Sequence, residues 1–213
     1  SNIGETVIID LNGYSGRIML AFYAESTVLV PSGRLFVRNV GVNYSTPIVN
    51  LPFETGFEEG VFPPEGWSIY DEAADVPTWE ASQIQNHTSG GVTSAFHGSS
   101  AEADSWLVTP AILMPNDADI FLRFWSFNTN PGNYGKNSVW LSIASGDPDD
   151  GDFQEIWTTA SVSSGWMQTE LSLNSFAGEI AFIAFRYEGN NAHEWHLYDI
   201  SVFANVGLSL SNP

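Results

Sequence analysis

The sequence predicts an all-β protein in which antiparallel strands form a sandwich. Aromatic residues make up 14 % of the 213 residues, alongside 19 Gly and 11 Pro. This composition suits short strands joined by turns. Apolar side chains alternate along several segments, and turn-forming clusters separate those segments at regular intervals. No run of ten or more residues has a helical period, so a sandwich of two antiparallel sheets is the expected architecture.

The clearest strands lie in the second half of the chain. An aromatic strand, 120–127, is followed by a loop rich in Asn, Pro and Gly at 128–133. Residues 147–152 form an acidic turn, because Asp, Pro and Gly dominate them. The full set of predicted strands in this half is 120–127, 139–144, 153–158, 167–173, 180–187 and 194–203.

The charge excludes several classes of partner. Six basic residues oppose 25 acidic ones, which gives a formal net charge of −19. DNA, RNA and anionic membrane surfaces would be repelled. The absence of cysteine excludes disulfides and thiol chemistry, and no apolar run is long enough for membrane insertion. Acidic side chains suit Ca²⁺, which takes oxygen ligands, although they also keep an exported protein soluble.

An internal repeat divides the chain. Residues 6–42 match 168–202 in the order of their motifs, including Leu11-Asn12-Gly13-Tyr14-Ser15-Gly16 against Leu173-Asn174-Ser175-Phe176-Ala177-Gly178. The alternative is that two unrelated β-meanders share these features. The repeat predicts that 1–45 is a three-strand remnant of a preceding tandem copy, 46–52 a linker, 53–204 the complete domain and 205–213 a tail.

A three-strand remnant rarely holds together alone in water. We therefore expect residues 1–45 to pack on the main domain, to extend one of its sheets, or to mediate self-association with a second chain. Deletion of 1–45 is expected to lower stability or solubility, and an unchanged protein would contradict this packing or association.

Several short motifs in order carry a family resemblance. They are Phe57-Glu58-Glu59-Gly60, Pro64-Glu65-Gly66-Trp67, Trp106-Leu107-Val108-Thr109-Pro110, Ala184-Phe185-Arg186 and Leu197-Tyr198-Asp199-Ile200. Over residues 53–204 the chain resembles the cleaved-adhesin and choice-of-anchor J domains of bacterial surface proteins, and more distantly MAM domains. In the closing motif, Tyr198 replaces the first of two aspartates that the family usually carries.

The resemblance implies a jelly-roll β-sandwich that acts as a non-catalytic binding module at the bacterial cell surface or outside the cell. Its partner would be a host glycan or an extracellular protein. The alternative is a carbohydrate-binding accessory module of a larger secreted hydrolase. A stand-alone hydrolase is the third hypothesis, since 25 acidic residues do not exclude a facing pair of carboxylates.

The resemblance also implies structural calcium. In a jelly roll the first and last strands can be neighbours, so Glu54 or Glu58 would meet Asp199 at a rim, with backbone carbonyls completing the ligand set. Asp71, Glu72 and Asp75 form a second acidic cluster that is either a calcium loop or a solvated turn. We interpret 147–152 as a hairpin turn, because Gly151 stands where a calcium loop needs a ligand.

Aromatic side chains are candidates for stacking on a sugar. Trp79 and Trp140 are selected by residue type, and the competing interpretation for each is packing between strands. An exposed aromatic row would favour a glycan ligand, whereas a flat polar face would favour a protein.

Overall fold

The computed structural model describes residues 47–71, 78–100, 103–128, 136–149, 152–159, 165–189 and 193–205, and before them only Val7, Ile9 and Phe22. The chain separates into two compact units, Ser1–Tyr44 and Ser45–Pro213. All strands of the described residues belong to the second unit. The predicted remnant at 1–45 and the tail at 205–213 lie almost entirely outside the described residues, and these boundaries stay predictions.

The described residues of the second unit form strands and one 3-10 turn. In chain order the strands are β1 (Phe53–Thr55), β2 (Ser68–Asp71), β3 (Trp79–Ser82), β4 (Ser94–His97), β5 (Asp104–Val108), β6 (Ile112–Leu113), β7 (Asp119–Asn128), β8 (Lys136–Ser142), β9 (Gln154–Thr158), β10 (Met167–Ser172), β11 (Ile180–Glu188) and β12 (Trp195–Asn205). The 3-10 turn is Asn174–Phe176.

The first sheet has the order β10-β7-β12-β4-β3, and β1 also pairs with β12. All these pairs are antiparallel. Because β7 runs along one edge of β12, β4 and β1 share the other edge: β4 pairs with residues 195–197 and β1 with residues 200–202. The first and the last strand of the unit are therefore neighbours.

The second sheet has the order β2-β5-β11-β8-β9, and β6 pairs with β11 beside β5. These pairs are antiparallel as well. Val49, which precedes β1, forms an isolated parallel bridge with Ile112. The predicted sandwich of two antiparallel sheets is confirmed.

The core fills the space between the sheets with alternate residues of the long strands. Phe124 of β7 meets Phe185 of β11 edge to face, with ring centroids 5.3 Å apart. Leu107, Leu141 and Leu197 are fully buried in the same cluster. Large aromatic side chains supply much of the buried apolar area, which is the main force that holds two sheets together.

The predicted strands agree with the structure to within a few residues at each end. The largest shift is at β8, predicted at 139–144 and observed at Lys136–Ser142. Alternation was strongest in these strands because one face of each meets the core. The short strands β1 to β6 lack enough residues to show a period.

Candidate functional site

The outer face of the first sheet carries a row of large side chains on β7. Alternate residues of the strand face the core and are fully buried: Ile120, Leu122 and Phe124. The residues between them lie on the outer face and are half-buried: Phe121, Arg123, Trp125 and Phe127. Since strand side chains alternate between faces, the core pattern itself places these four outside.

β12 is irregular where it passes this row. Its register with β7 shifts between Tyr198 and Ser201, and Asp199 has a φ of 46°. Phe57, after β1, has a φ of 64°. A Cβ added to the neighbouring Gly56 would lie 3.7 Å from Oδ1 of Asp199. Two non-glycine residues with left-handed backbone conformations, Phe57 and Asp199, therefore lie close to the contact between Gly56 and Asp199. Backbone strain of this kind concentrates at functional sites.

The β3–β4 loop (residues 83–93) is attached to the sheet through Glu58. One oxygen of this carboxylate, Oε1, accepts hydrogen bonds from the backbone N–H groups of Val92 at 2.9 Å and Thr93 at 3.1 Å. The same oxygen accepts from the Tyr198 hydroxyl at 2.5 Å. Gly91 lies so close that an added Cβ would overlap the Tyr198 hydroxyl oxygen. The loop therefore needs glycine at this position to reach Glu58.

The hydrogen bonds of this anchor change the acidity of both partners. Burial raises the pKa of Glu58, but the hydrogen bonds from Tyr198, Thr93 and Val92 together outweigh it, and the pKa of Glu58 is lowered. The pKa of Tyr198 is raised, first by its burial and then by its hydrogen bond to Glu58. Glu58 is therefore the ionised acceptor and Tyr198 the neutral donor at neutral pH.

Asp199 forms a second attachment of the same loop. Its Oδ2 accepts a hydrogen bond from the Thr88 hydroxyl at 2.5 Å and lies 3.1 Å from Nδ1 of His87. The His87 ring stacks on Trp125, with centroids 3.7 Å apart and an interplanar angle of 20°. Trp166 meets His87 edge to face at 5.8 Å. Asp199 thus fixes His87, and His87 fixes the Trp125 ring.

A groove of about 460 Å³ opens beside Trp125 on this face. Glu54 of β1, Arg123 and Trp125 of β7 and Gln168 of β10 form its walls. The complete lining is Glu54, Thr55, Gly56, Glu59, Arg123, Trp125, Gln168, Asp199, Ile200 and Ser201. The groove thus combines one aromatic ring with carboxylate, amide, hydroxyl and guanidinium groups, which can exchange hydrogen bonds with a polar ligand.

The predicted metal ligands are only partly together. Glu54 and Asp199 line the groove, whereas Glu58 lies outside it with one oxygen engaged by three donors. Over the described ranges, no three His, Asp or Glu side chains are grouped so as to hold a metal ion. The predicted neighbourhood of β1 and β12 is present, since Glu54 pairs with Ser201.

The two predicted stacking residues have different positions. The prediction for Trp79 is wrong, because Trp79 is 2 % exposed and packs in the core against Trp195 and His97. Inward-facing residues of an edge strand are still buried when the second sheet covers them. Trp140 is half-buried outside the main core, near Trp106, and its stacking role stays a prediction.

Trp125, His87 and Gln168 were not selected from the sequence. Alternation along 120–127 was sufficient to place Trp125 on the face opposite Phe124, so that signal was present. His87 had no such signal, because the loop that carries it is 112 residues from Asp199 in sequence.

Comparison with known structures identifies similar folds. The K1 cleaved adhesin domain of Lys-gingipain from Porphyromonas gingivalis W83 aligns with a TM-score of 0.56 and 19 % identity, covering 72 % of this chain and 98 % of that domain. The K3 domain of the same protein aligns with a TM-score of 0.56 and 17 % identity, covering 71 % and 96 %. The CBM22-1 xylan-binding domain of Xyn10C from Paenibacillus barcinonensis follows with a TM-score of 0.52 and 11 % identity, covering 71 % and 92 %.

At these identities the structural likeness shows the fold alone. No curated protein matches the chain. In the part of the chain that the structure describes, no helix has the length and apolarity needed to cross a bilayer. The sequence model of the Cleaved Adhesin Domain family matches residues 51–202, which is more than half of the chain. The predicted resemblance is confirmed, and the chain belongs to the cleaved adhesin domain family.

Proposed function

We propose that this chain is a non-catalytic, extracellular binding module of a bacterial surface adhesin, and that it binds a glycan in the groove beside Trp125. Membership of the cleaved adhesin domain family supports a binding role. The observation that supports a glycan as the ligand is the groove itself, where an aromatic ring lies among side chains that donate and accept hydrogen bonds. A host protein is the competing ligand.

The chemistry of the groove matches a sugar ring. The apolar C–H face of a pyranose packs on an aromatic ring, as Trp125 offers. Sugar hydroxyls donate to carboxylates such as Glu54 and accept from amides such as Gln168. His87 on Trp125 holds the ring in place before ligand arrives, which lowers the entropic cost of binding.

The proposal is tested by comparing the binding of wild type and of the Trp125→Ala variant to the glycans of an array. We expect wild type to bind at least one glycan and Trp125→Ala to weaken that binding by roughly tenfold or more, as for a central aromatic contact. Trp125→Phe, which keeps a ring under His87, should bind with intermediate affinity. Circular dichroism of each variant checks that the fold is intact.

Trp140→Ala is the matched control, because Trp140 lies outside this groove. If Trp140→Ala abolishes binding and Trp125→Ala does not, the groove is not the site. If no glycan binds and a protein ligand is captured instead, the glycan part of the proposal fails.

A carbohydrate-binding accessory module of a larger secreted hydrolase is the second candidate. The fold similarity to the CBM22-1 xylan-binding domain favours it. A glycan array that contains both host glycans and plant-wall polysaccharides separates the two, since an accessory module should prefer a polysaccharide that the hydrolase degrades.

Structural calcium is a further part of the proposal. Glu54 and Asp199 would hold the ion at the groove, with hydroxyl oxygens of Thr55 or Ser201 and carbonyl or water oxygens completing the six to eight that Ca²⁺ takes. The acidic excess and the shared groove support this. The fit is incomplete, because the carboxylate of Glu58 is engaged with Tyr198 and the β3–β4 loop.

Thermal melts in Ca²⁺ and in EDTA test the calcium site. A ligand that binds only the folded state raises stability, by about 2.7 kcal/mol at a hundredfold excess over its dissociation constant. We expect a higher melting temperature in Ca²⁺, and we expect Glu54→Gln with Asp199→Asn to remove the difference. Glu65→Gln, which lies outside the groove, is the control. Identical melting temperatures in both buffers would contradict a structural site.

A further inference from the structure

We propose that the groove beside Trp125 selects glycans without acidic groups and discriminates against the same sugar backbone bearing carboxylates or sulfates. This inference rests on the proposed glycan function and names the ligand class for that site. It follows from where the few basic side chains of the second unit lie and from what already engages them.

The groove is negatively charged. Three carboxylates line it, those of Glu54, Glu59 and Asp199, against a single basic side chain, Arg123. Glu170 compensates the charge of Arg123, so a bound Ca²⁺ with its two positive charges would still leave one net negative charge among the three carboxylates. An anionic sugar that enters the groove meets like charges at short range.

Arg123 is already paired. Its Nε and Nη2 both donate to Oε2 of Glu170, at 2.9 and 2.6 Å. The guanidinium also lies 4.6 Å from the ring centroid of Phe203. Glu170 therefore compensates the charge of Arg123, and an acidic ligand gains less from this guanidinium than from an unpaired one.

The remaining basic side chains are on the second sheet and are paired too. After Arg38 the sequence contains only three lysine or arginine residues, Arg123, Lys136 and Arg186. Lys136 donates to Glu155 at 2.5 Å, and Arg186 donates from Nε and Nη2 to the two oxygens of Asp104 at 2.8 and 2.6 Å. Both also lie over the Trp140 ring. The second unit therefore offers an anion no uncommitted basic side chain.

The groups left to bind a ligand suit an uncharged sugar. Glu54 and Glu59 accept hydrogen bonds from hydroxyls, while the Gln168 amide and the hydroxyl of Ser201 both donate and accept. None of them requires a charge on the ligand. The ring of Trp125 adds an apolar surface, and contact with this surface requires no carboxylate on the ligand.

Matched pairs of oligosaccharides test this selectivity. β-1,4-linked mannose hexamers are compared with mannuronic acid hexamers of the same linkage, and neutral lactosamine-type glycans with their sialylated forms. Dissociation constants are measured for wild type at low salt, once in EDTA and once in Ca²⁺. We expect the neutral member of any pair that binds to bind roughly tenfold more tightly or better.

The double variant Glu54→Gln and Glu59→Gln should reduce the ratio of the two dissociation constants, acidic over neutral. A salt concentration of 1 M should reduce this affinity ratio as well, because both changes weaken the repulsion between the groove carboxylates and an acidic sugar. Asp117→Asn, an acid-to-amide change outside the groove, should leave this affinity ratio unchanged. If the acidic member binds as tightly as the neutral one, or more tightly, in either buffer, and this binding is lost in Trp125→Ala, the selectivity is refuted while the glycan site stands. If no member of any pair binds, the proposed function fails and the selectivity with it.

Discussion

Trp125 is the side chain at which the groove and the β3–β4 loop meet. His87 stacks on its ring at 3.7 Å, and Asp199 holds His87 through Nδ1. A binding residue whose orientation is fixed by neighbours loses little freedom when ligand arrives. The strained φ of Asp199 fits this role, because it lets the side chain leave the β12 ladder and reach the loop.

His196 is a buried titratable residue near this face. It is fully buried, with Phe96 at 4.8 Å and Phe127 at 5.8 Å between ring centroids. Its Nδ1 lies 3.3 Å from the Ser94 hydroxyl. Burial lowers the pKa of His196 from 6.5 to about 4, because the charged ring would lose its hydration.

This lowered pKa predicts a pH-dependent loss of stability. Between pH 6.5 and 4 the unfolded chain binds a proton at His196 that the folded chain does not, so the free energy of unfolding falls as the pH falls. Relative to His196→Phe, wild type should lose about 3 kcal/mol across this range. Urea unfolding at several pH values measures the difference.

A His196→Phe profile parallel to that of wild type from pH 7 to 4 would contradict the role assigned to His196.

At the scale of elements, the β3–β4 loop depends on close contact with β12. Glu58 joins the loop to Tyr198, and Gly91 provides the space for that contact. The loop presents His87 to Trp125, so its attachment sets one side of the binding site.

Gly91→Ala should therefore detach the loop. We expect a loss of about 1–3 kcal/mol in unfolding free energy, as for overpacking, and faster hydrogen exchange at the N–H groups of Val92 and Thr93. Gly56→Ala is the matched control, because its Cβ would make ordinary contacts of 3.7–3.8 Å. It should be as stable as wild type or slightly more so. Equal stability and exchange in Gly91→Ala and wild type would refute the anchoring.

The elements also show how far the sequence could predict this protein. Alternation in the long strands predicted β7 to β12, because burial on one face imposes a period of two. The same pattern in β7 marks Trp125 as outward-facing. The site itself depends on the bulge at Asp199 and on the β3–β4 loop, whose contacts span more than 100 residues of sequence. Trp79 was selected by residue type alone. Its burial could not be predicted from the sequence, because the sequence does not show which face of β3 the second sheet covers.

At the scale of the whole molecule, the net charge of −19 disfavours association with anionic partners. All three basic side chains of the second unit are paired with carboxylates and lie over aromatic rings. The groove combines three carboxylates with the ring of Trp125. In this member of the cleaved adhesin domain family, a groove that contains Trp125 lies beside the strand pair β1 and β12.

Titration of ¹⁵N-labelled protein with the glycan that binds most tightly on an array tests the groove most directly, with NMR reporting on each residue. The side-chain signals of Trp125, Arg123 and Gln168 should shift in a saturable manner, and the Trp140 indole signal should stay unchanged. Shifts that centre on Trp140 and leave Trp125 unmoved would contradict a binding site on the first sheet.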